Sequence, residues 1–406
     1  MKMDDFKPLN TLISFNEAME ILLSHVKGVD EWEIVSLDEA GGRVLSEEII
    51  AQIDVPHFDR SAMDGYAVKA EDTYGASLQN PVILELAGSV FPGDIPEGSV
   101  EKRKCFKVST GAMIPEGADS VVVIEETEII EGKVFVYKPV FPGANITKRG
   151  ADIKKGSIVL KEGCYLTPSK IGAIASLGLK EIKVYRKPKI AVIPTGKEII
   201  TPGETLVMGK VYNINSFTLS ALVKENGCIP VVFPLCPDEE KELKKKLEEA
   251  LNCDLIVIIG GSSVGERDIV GNVLSEMGEI LFHGIAVKPG KPTLGALING
   301  KIVLGMPGHP TSCLSNGYLI LIPILRRIAK LPPKNFQTIK GKISKRISVT
   351  IGRMQFLSVK LNGEEVIPVF KESGTITSMA EADGYIEIPG NKELVERGEE
   401  VEVKLF

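Results

Sequence analysis

The residues able to do chemistry gather in five short segments: Thr195-Gly196-Lys197-Glu198, Pro237-Asp238, GGSSVGERD at 260–268, VKPGKPT at 287–293 and Pro307-Gly308-His309-Pro310. Gly260, Gly261, Ser262, Ser263 and Gly265 let a backbone curl until several N–H groups point at one spot, a concavity suited to an anion. The lysine and hydroxyl that would close a P-loop are missing. Lys288 and Lys291 sit on a segment stiffened by Pro289 and Pro292, which reduces the entropy lost when they meet a phosphate or another oxyanion. Glu198, Asp238 and Asp268 are hard oxygen ligands of the kind Mg²⁺ takes, a few carboxylates with substrate phosphate and water completing the shell. Asp268 is the leading metal candidate, with Glu198 beside it. Asp238 reads equally well as a helix cap and Glu198 as a solvent-facing first-turn residue. His309, held between a glycine and a proline, reads as a shape residue more than a base. No Ser/His/Asp or Cys/His set is visible.

These segments need a scaffold that brings strand ends to one edge. Seven residues from Asp254 to Gly260 are almost all branched and apolar, as in a strand covered on both faces of a parallel sheet. Around it strand and helix alternate. Lys189–Pro194, Ile229–Leu235 and Ile302–Gly305 are predicted strands. Helices are expected after a Ser216 cap, after an Asp238 cap with Glu240–Lys244 and Glu242–Lys246 as surface pairs, and from Thr311 with a bend at Pro323. In such open sheets ligands bind beyond the carboxyl ends of the strands, where all these polar segments fall.

The chain of 406 residues exceeds one core, so several domains are expected. Ser14 and Glu17 have capping-box spacing ahead of an amphipathic helix that ends at Gly28. Asp64-Gly65 predicts a type I′ hairpin, with Asp59, Arg60, Ser61 and Asp64 crowded beside it. Short strands split by glycine and proline follow, at Val82–Leu86, Cys105–Val108, Ser120–Glu125 and Lys133–Tyr137, with Thr110-Gly111 reading as a turn. A second helix is predicted after Thr167-Pro168, and after Pro332-Pro333 a period-two pattern predicts a small all-β domain. We divide the chain into a discontinuous domain, 1–50 with 141–186, interrupted by a β-rich insertion, 51–140. An α/β domain, 187–331, and a carboxyl-terminal β domain, 332–406, complete it.

A net charge of −6 gives no general attraction for nucleic acid or anionic lipid. The first ten residues lack the apolar core of a secretory signal, no run is long enough to span a bilayer, and a cytoplasmic location is expected. The six cysteines form no CxxC pair, so reduced buried thiols are expected.

With SAMDGYAV, STGAMIPEGAD, TGKE, GGSSVGERD, KPGKPT and MPGHPTS in this order, the sequence resembles the molybdopterin molybdenumtransferase family, MoeA and the gephyrin E domain. The resemblance implies a multidomain α/β plus β fold: a MogA-like three-layer α/β domain, an inserted β-rich domain and a small carboxyl-terminal β-barrel. It also implies insertion of molybdate, or tungstate, into adenylylated molybdopterin with release of AMP, Mg²⁺ as cofactor, and a homodimer. A MogA/MoaB-type adenylyltransferase would supply the substrate. Matched by motif, Asp64 and Thr110 would come from the partner subunit, and Glu198, Asp238, Asp268, Lys288, Pro307 and Pro310 would line the cleft. Arg353 and Ser373 would approach from the last domain. Where bacterial relatives often carry a basic residue four positions before Lys288, this chain has Gly284, beside His283. A non-catalytic pterin-binding scaffold of the same fold is the alternative, and an α/β enzyme acting on a sugar or nucleotide phosphate a third reading.

Overall fold

The computed structural model describes residues 12–260, 268–369 and 374–406. They divide into two compact units. One takes in the described residues of 1–33, 42–44 and 184–406, the other 34–41 and 45–183.

The smaller unit is built by a chain that goes out and returns beside itself. Ile49–Ile50 pairs antiparallel with Ile158–Leu160, and Arg60–Ser61 with Ile146–Thr147. Between these nested pairs lies a six-stranded sheet of β1 (Gly65–Val68), β2 (Val82–Val90), β3 (Lys104–Val108), β4 (Ser120–Val123), β5 (Thr127–Ile130) and β6 (Lys133–Val136), in the order β4-β1-β3-β2-β6-β5. Both faces of β1 are covered. Tyr66 and Val68 pack with Leu84 and Val122, while Ala67 joins Phe106 and Val121 in a second cluster. The expected Asp64-Gly65 hairpin does not form, because Arg60–Ser61 pairs with Ile146–Thr147 and β1 pairs with β3 and β4. Gly65 is needed for space: a Cβ there would lie 1.9 Å from the Val122 carbonyl oxygen. A nine-residue helix α1 (Pro168–Ser176) follows, with Thr167 in the cap position but making no side-chain cap bond.

The larger unit opens with the predicted amino-terminal helix, Phe15–His25, capped by Ser14 Oγ accepting from Glu17 N at 3.1 Å. Its central sheet has the strands β7 (Lys189–Pro194), β8 (Ile229–Val232), β9 (Leu255–Ile259), β10 (Glu279–His283), β11 (Leu294–Ile298) and β12 (Lys301–Met306), in the order β8-β7-β9-β12-β11-β10. The first four in that order are parallel, and β11 lies antiparallel between β12 and β10. Every residue of β9 is buried, each such side chain stabilising by roughly 1.5–3 kcal/mol. Ile256 and Ile258 face α2 (Glu240–Ala250) and α3 (Ile269–Met277) through Leu243, Leu247, Val270 and Leu274. Val257 and Ile259, pointing the other way, are equally buried.

Two helix starts differ from expectation. The helix Asn215–Glu225 has Asn213, not Ser216, as its capping side chain: Asn213 Oδ1 accepts from Ser216 N at 3.1 Å. Asp238 does not cap α2 either, which begins after Glu239, and Lys244 on that helix pairs with Glu276 rather than Glu240. The last helical stretch runs Pro310–Asn316, relaxes into a π-turn over Gly317–Leu321 and resumes at Ile322–Ile328 with Pro323 in its first turn.

The carboxyl-terminal residues close a barrel. Strands Thr338–Ile343, Glu365–Pro368, Met354–Asn362, Gly384–Ile388 and Glu400–Leu405 pair each with the next, and the last returns to the first. Closure leaves no free edge within that ring. Five of the six cysteines are buried and all six are free thiols; burial pushes Cys105 and Cys228 up to about 12, which keeps them protonated and unreactive.

Candidate active site

Strands β7, β9 and β12 end at one rim, and their last residues are tied together. Thr195 N and Oγ1 both donate to Ile259 O, at 2.9 and 3.1 Å, and Gly260 N donates to Met306 O at 3.0 Å. Gly260 has φ +90°, and a Cβ there would come 3.0 Å from Thr195 O. The rim is thus held by backbone, with side chains left over.

Above it opens a cavity of about 620 Å³ whose wall includes Thr195, Glu198, Asn215, Pro292, Pro307 and Pro310. A second cavity of about 360 Å³ adjoins it, sharing Thr195 and Glu198 and adding Lys197 and Asp238. Glu198 stands on both. Its carboxylate folds back over Gly196, where a Cβ would lie 2.7 Å from Oε1, and Gly196 has φ +127°. Asp238 Oδ2 accepts from Lys197 N at 3.3 Å, so one four-residue turn gathers two carboxylates from segments forty residues apart. That contact is why Asp238 is not a helix cap.

Asp268 plays a different part. It is the N-cap of α3, Oδ1 accepting from Gly271 N at 2.9 Å, while Oδ2 lies 3.5 Å from His283 Nε2 and accepts no hydrogen bond from any described residue. It is not among the described residues that line either cavity. Among the described residues no three His, Cys, Asp or Glu side chains converge as a metal cluster. The donor set still fits Mg²⁺, which is held by one or two carboxylates when phosphate and water fill the remaining positions. Glu198 and Asp238 both line the smaller cavity, and Asp268, whose Oδ2 lies 3.5 Å from His283 Nε2, is a further carboxylate beyond the end of β9.

The two lysines do not line the cavity. Lys288 Nζ donates to Thr350 Oγ1 at 2.9 Å, and Val287–Lys288 pairs with Met354–Gln355 of the barrel. Pro292 is the part of that loop which reaches the wall, with Lys291 next to it. Gly308 O accepts from Asn215 Nδ2 at 2.7 Å, which fixes the PGHP turn. Arg353 lies at the start of a barrel strand, where its backbone would meet any side chain on Gly390. Gly261, Ser262, Ser263, Gly265 and Ser373 lie outside the described residues.

In the smaller unit Asp64 and Thr110 meet. Asp64 Oδ1 accepts from Thr110 N at 2.7 Å and from Thr110 Oγ1 at 3.1 Å, and both residues are exposed. Nearby, Asp59 accepts from Lys148 Nζ and Arg149 N, each at 2.8 Å. Burial pulls the Asp59 carboxyl upward, but these donors outweigh it and hold the group below the usual carboxylate range.

Sequence reasoning missed Asn215, 7 % exposed in the cavity wall. No local signal marked it, because its partner is a backbone carbonyl 93 residues along the chain.

Three family models account for most of the chain. The MoeA N-terminal region (domain I and II) matches 13–178, a probable molybdopterin binding domain matches 191–327, and the MoeA C-terminal region (domain IV) matches 340–406. The chain belongs to the MoeA family. It is 38 % identical to a putative molybdopterin biosynthesis protein of Methanocaldococcus jannaschii, over 96 % of this chain and 95 % of that one. It is 33 % identical to the molybdopterin molybdenumtransferase of Haemophilus influenzae, over 97 % and 99 %. A crystal structure of a molybdopterin biosynthesis MoeA protein from Pyrococcus horikoshii OT3 superposes with a TM-score of 0.83 at 34 % identity, covering 98 % of this chain and 100 % of that one. The multidomain α/β plus β architecture expected from the motifs is therefore that of MoeA.

Proposed function

We propose that this protein is a molybdopterin molybdenumtransferase, inserting molybdate, or tungstate, into adenylylated molybdopterin with release of AMP. The observation that carries the reading is the rim of the α/β sheet, where Glu198 and Asp238 meet at one turn beside a 620 Å³ cavity, in a chain that matches MoeA along nearly its whole length. The cavity volume suits a nucleotide-sized ligand. Thr195, Glu198 and Asn215 offer it polar contacts, and Pro292, Pro307 and Pro310 give stiff walls that lose little entropy when it binds.

When bound, Mg²⁺ supplies neutralising charge for the pyrophosphate that is cleaved. Glu198 and Asp238 would hold it, and Asp268, whose Oδ1 caps α3, would add negative charge near it. In a homodimer, Asp64 and Thr110 of the second subunit would complete the pocket, with Thr110 Oγ1 oriented by the bond it donates to Asp64 Oδ1. A MogA/MoaB-type adenylyltransferase is the proposed source of the substrate. A cytoplasmic location is proposed as well; no described helix is long and apolar enough to cross a membrane.

The test is AMP release from adenylylated molybdopterin in the presence of molybdate and Mg²⁺. Release that requires both ions supports the reading, binding without AMP makes the protein a scaffold, and neither binding nor AMP overturns it. A parallel titration with tungstate reports the metal preference.

A further inference from the structure

Asn316 lies at the end of the helix Pro310–Asn316 and has no exposed surface, yet its side chain is spent on another loop. Nδ2 donates to Gly290 O at 3.0 Å and to Thr293 Oγ1 at 2.6 Å, and Thr293 Oγ1 in turn donates to Gly290 O at 2.8 Å. The fit is tight. Gly290 has φ +112°, and a Cβ there would come 2.3 Å from Asn316 Oδ1. At its other end the same loop is fastened to the barrel by the Val287–Lys288 pairing and the Lys288–Thr350 bond. Between the two fastenings sit Lys291 and Pro292, and Pro292 is part of the cavity wall. A buried amide that bonds a carbonyl and a hydroxyl of a facing loop fixes that loop's register, since each bond lost leaves a buried group unpaired.

We propose that Asn316, with Thr293, is a positioning residue for the anionic ligand: it latches the Lys288–Thr293 loop against the PGHPTS helix, so that Pro292 stands ready in the cavity wall before the ligand arrives. The proposal rests on the functional reading above. Without the latch the loop must be ordered on binding, and affinity falls while the chemical step, carried by other residues, does not.

Full-length Asn316→Ala and Thr293→Val should raise the Kd for AMP, measured by calorimetry, and the KM for the adenylylated substrate by about tenfold, with kcat within about twofold. Thr293→Ser, which keeps the hydroxyl, should restore wild-type values. The double variant should be no worse than the poorer single one, because both break the same latch. Thr293→Val preserves side-chain volume and carries the test alone if Asn316→Ala does not fold. Lower melting temperatures with unchanged Kd and KM, or a Thr293→Ser variant as impaired as Thr293→Val, would overturn the latch. A wild-type protein that binds AMP but releases none overturns the functional reading instead, and the Kd comparison still decides the latch.

Discussion

Two carboxylates flank strand β9, one at each end, and they are held in opposite ways. Asp254, just before the strand, accepts two bonds from Arg186, both at 2.8 Å, and one from Lys189 N at 2.7 Å. Asp268, beyond the far end, uses one oxygen to cap α3 and keeps the other buried without a hydrogen bond from any described residue. The base of the sheet has finished its electrostatics within the fold. Among the described residues the rim has not: His283 Nε2 stands 3.5 Å from Asp268 Oδ2, and a buried carboxylate oxygen short of donors carries a cost that a ligand, a cation or a water can relieve.

The contrast breaks first on Asp268→Asn. Asparagine caps helices about as well as aspartate, so the fold should hold within about 0.5 kcal/mol. Removing the charge at the rim should lower AMP release by about a hundredfold or more, read from kcat with adenylylated molybdopterin and molybdate. Full activity in this variant would make Asp268 a cap and nothing else.

At the other end the expectation inverts. Arg186→Ala leaves Asp254 half-buried with one donor in place of three and should cost about 2 kcal/mol, seen as a lower melting temperature. AMP release below the transition should stay within about twofold of wild type. Loss of activity without loss of stability would erase the division between base and rim.

Acid should sharpen it further. Burial raises the Asp254 carboxyl, yet Arg186 and the Lys189 amide outweigh it and leave the group lowered. A carboxyl lowered in the folded state contributes stability that is fully present above its unfolded pKa of about 3.9 and is lost as pH falls through the lower folded value. The stability gap between wild type and Arg186→Ala should therefore be flat near neutrality and shrink only below about pH 4, in urea titrations at stepped pH.

How far the sequence alone reaches follows the same division. The buried run of β9 and the Ser14 cap were legible because strand burial and capping are local: the pattern and its cause lie within a few residues. Gly65 misled, since a glycine required by the approach of Val122 O looks in sequence like one required by a turn. Asp238 misled for a related reason: its partner, Lys197 N, is 41 residues away. Asn215 and Asn316 gave no sign at all, because their partners are backbone carbonyls on loops remote in the chain. Asp64 and Thr110 were named through the family's motifs, but the contact between them spans 46 residues and was not foreseen.

The smallest effect divides the two duties of Asp268 itself. Asp268→Ala removes the rim charge as Asp268→Asn does, so both should lose AMP release to the same extent. Alanine also withdraws the acceptor from Gly271 N, a bond of 2.9 Å in the first turn of α3, and leaves an orphan helix donor. That should cost about a further 1 kcal/mol relative to asparagine. The loss should be local: in hydrogen exchange the Gly271 amide should open earlier in the alanine variant, while amides of β9 keep their protection. If the two variants match in stability and exchange, the cap contributes nothing. The contrast with Asp254 would then have to rest on the free oxygen alone.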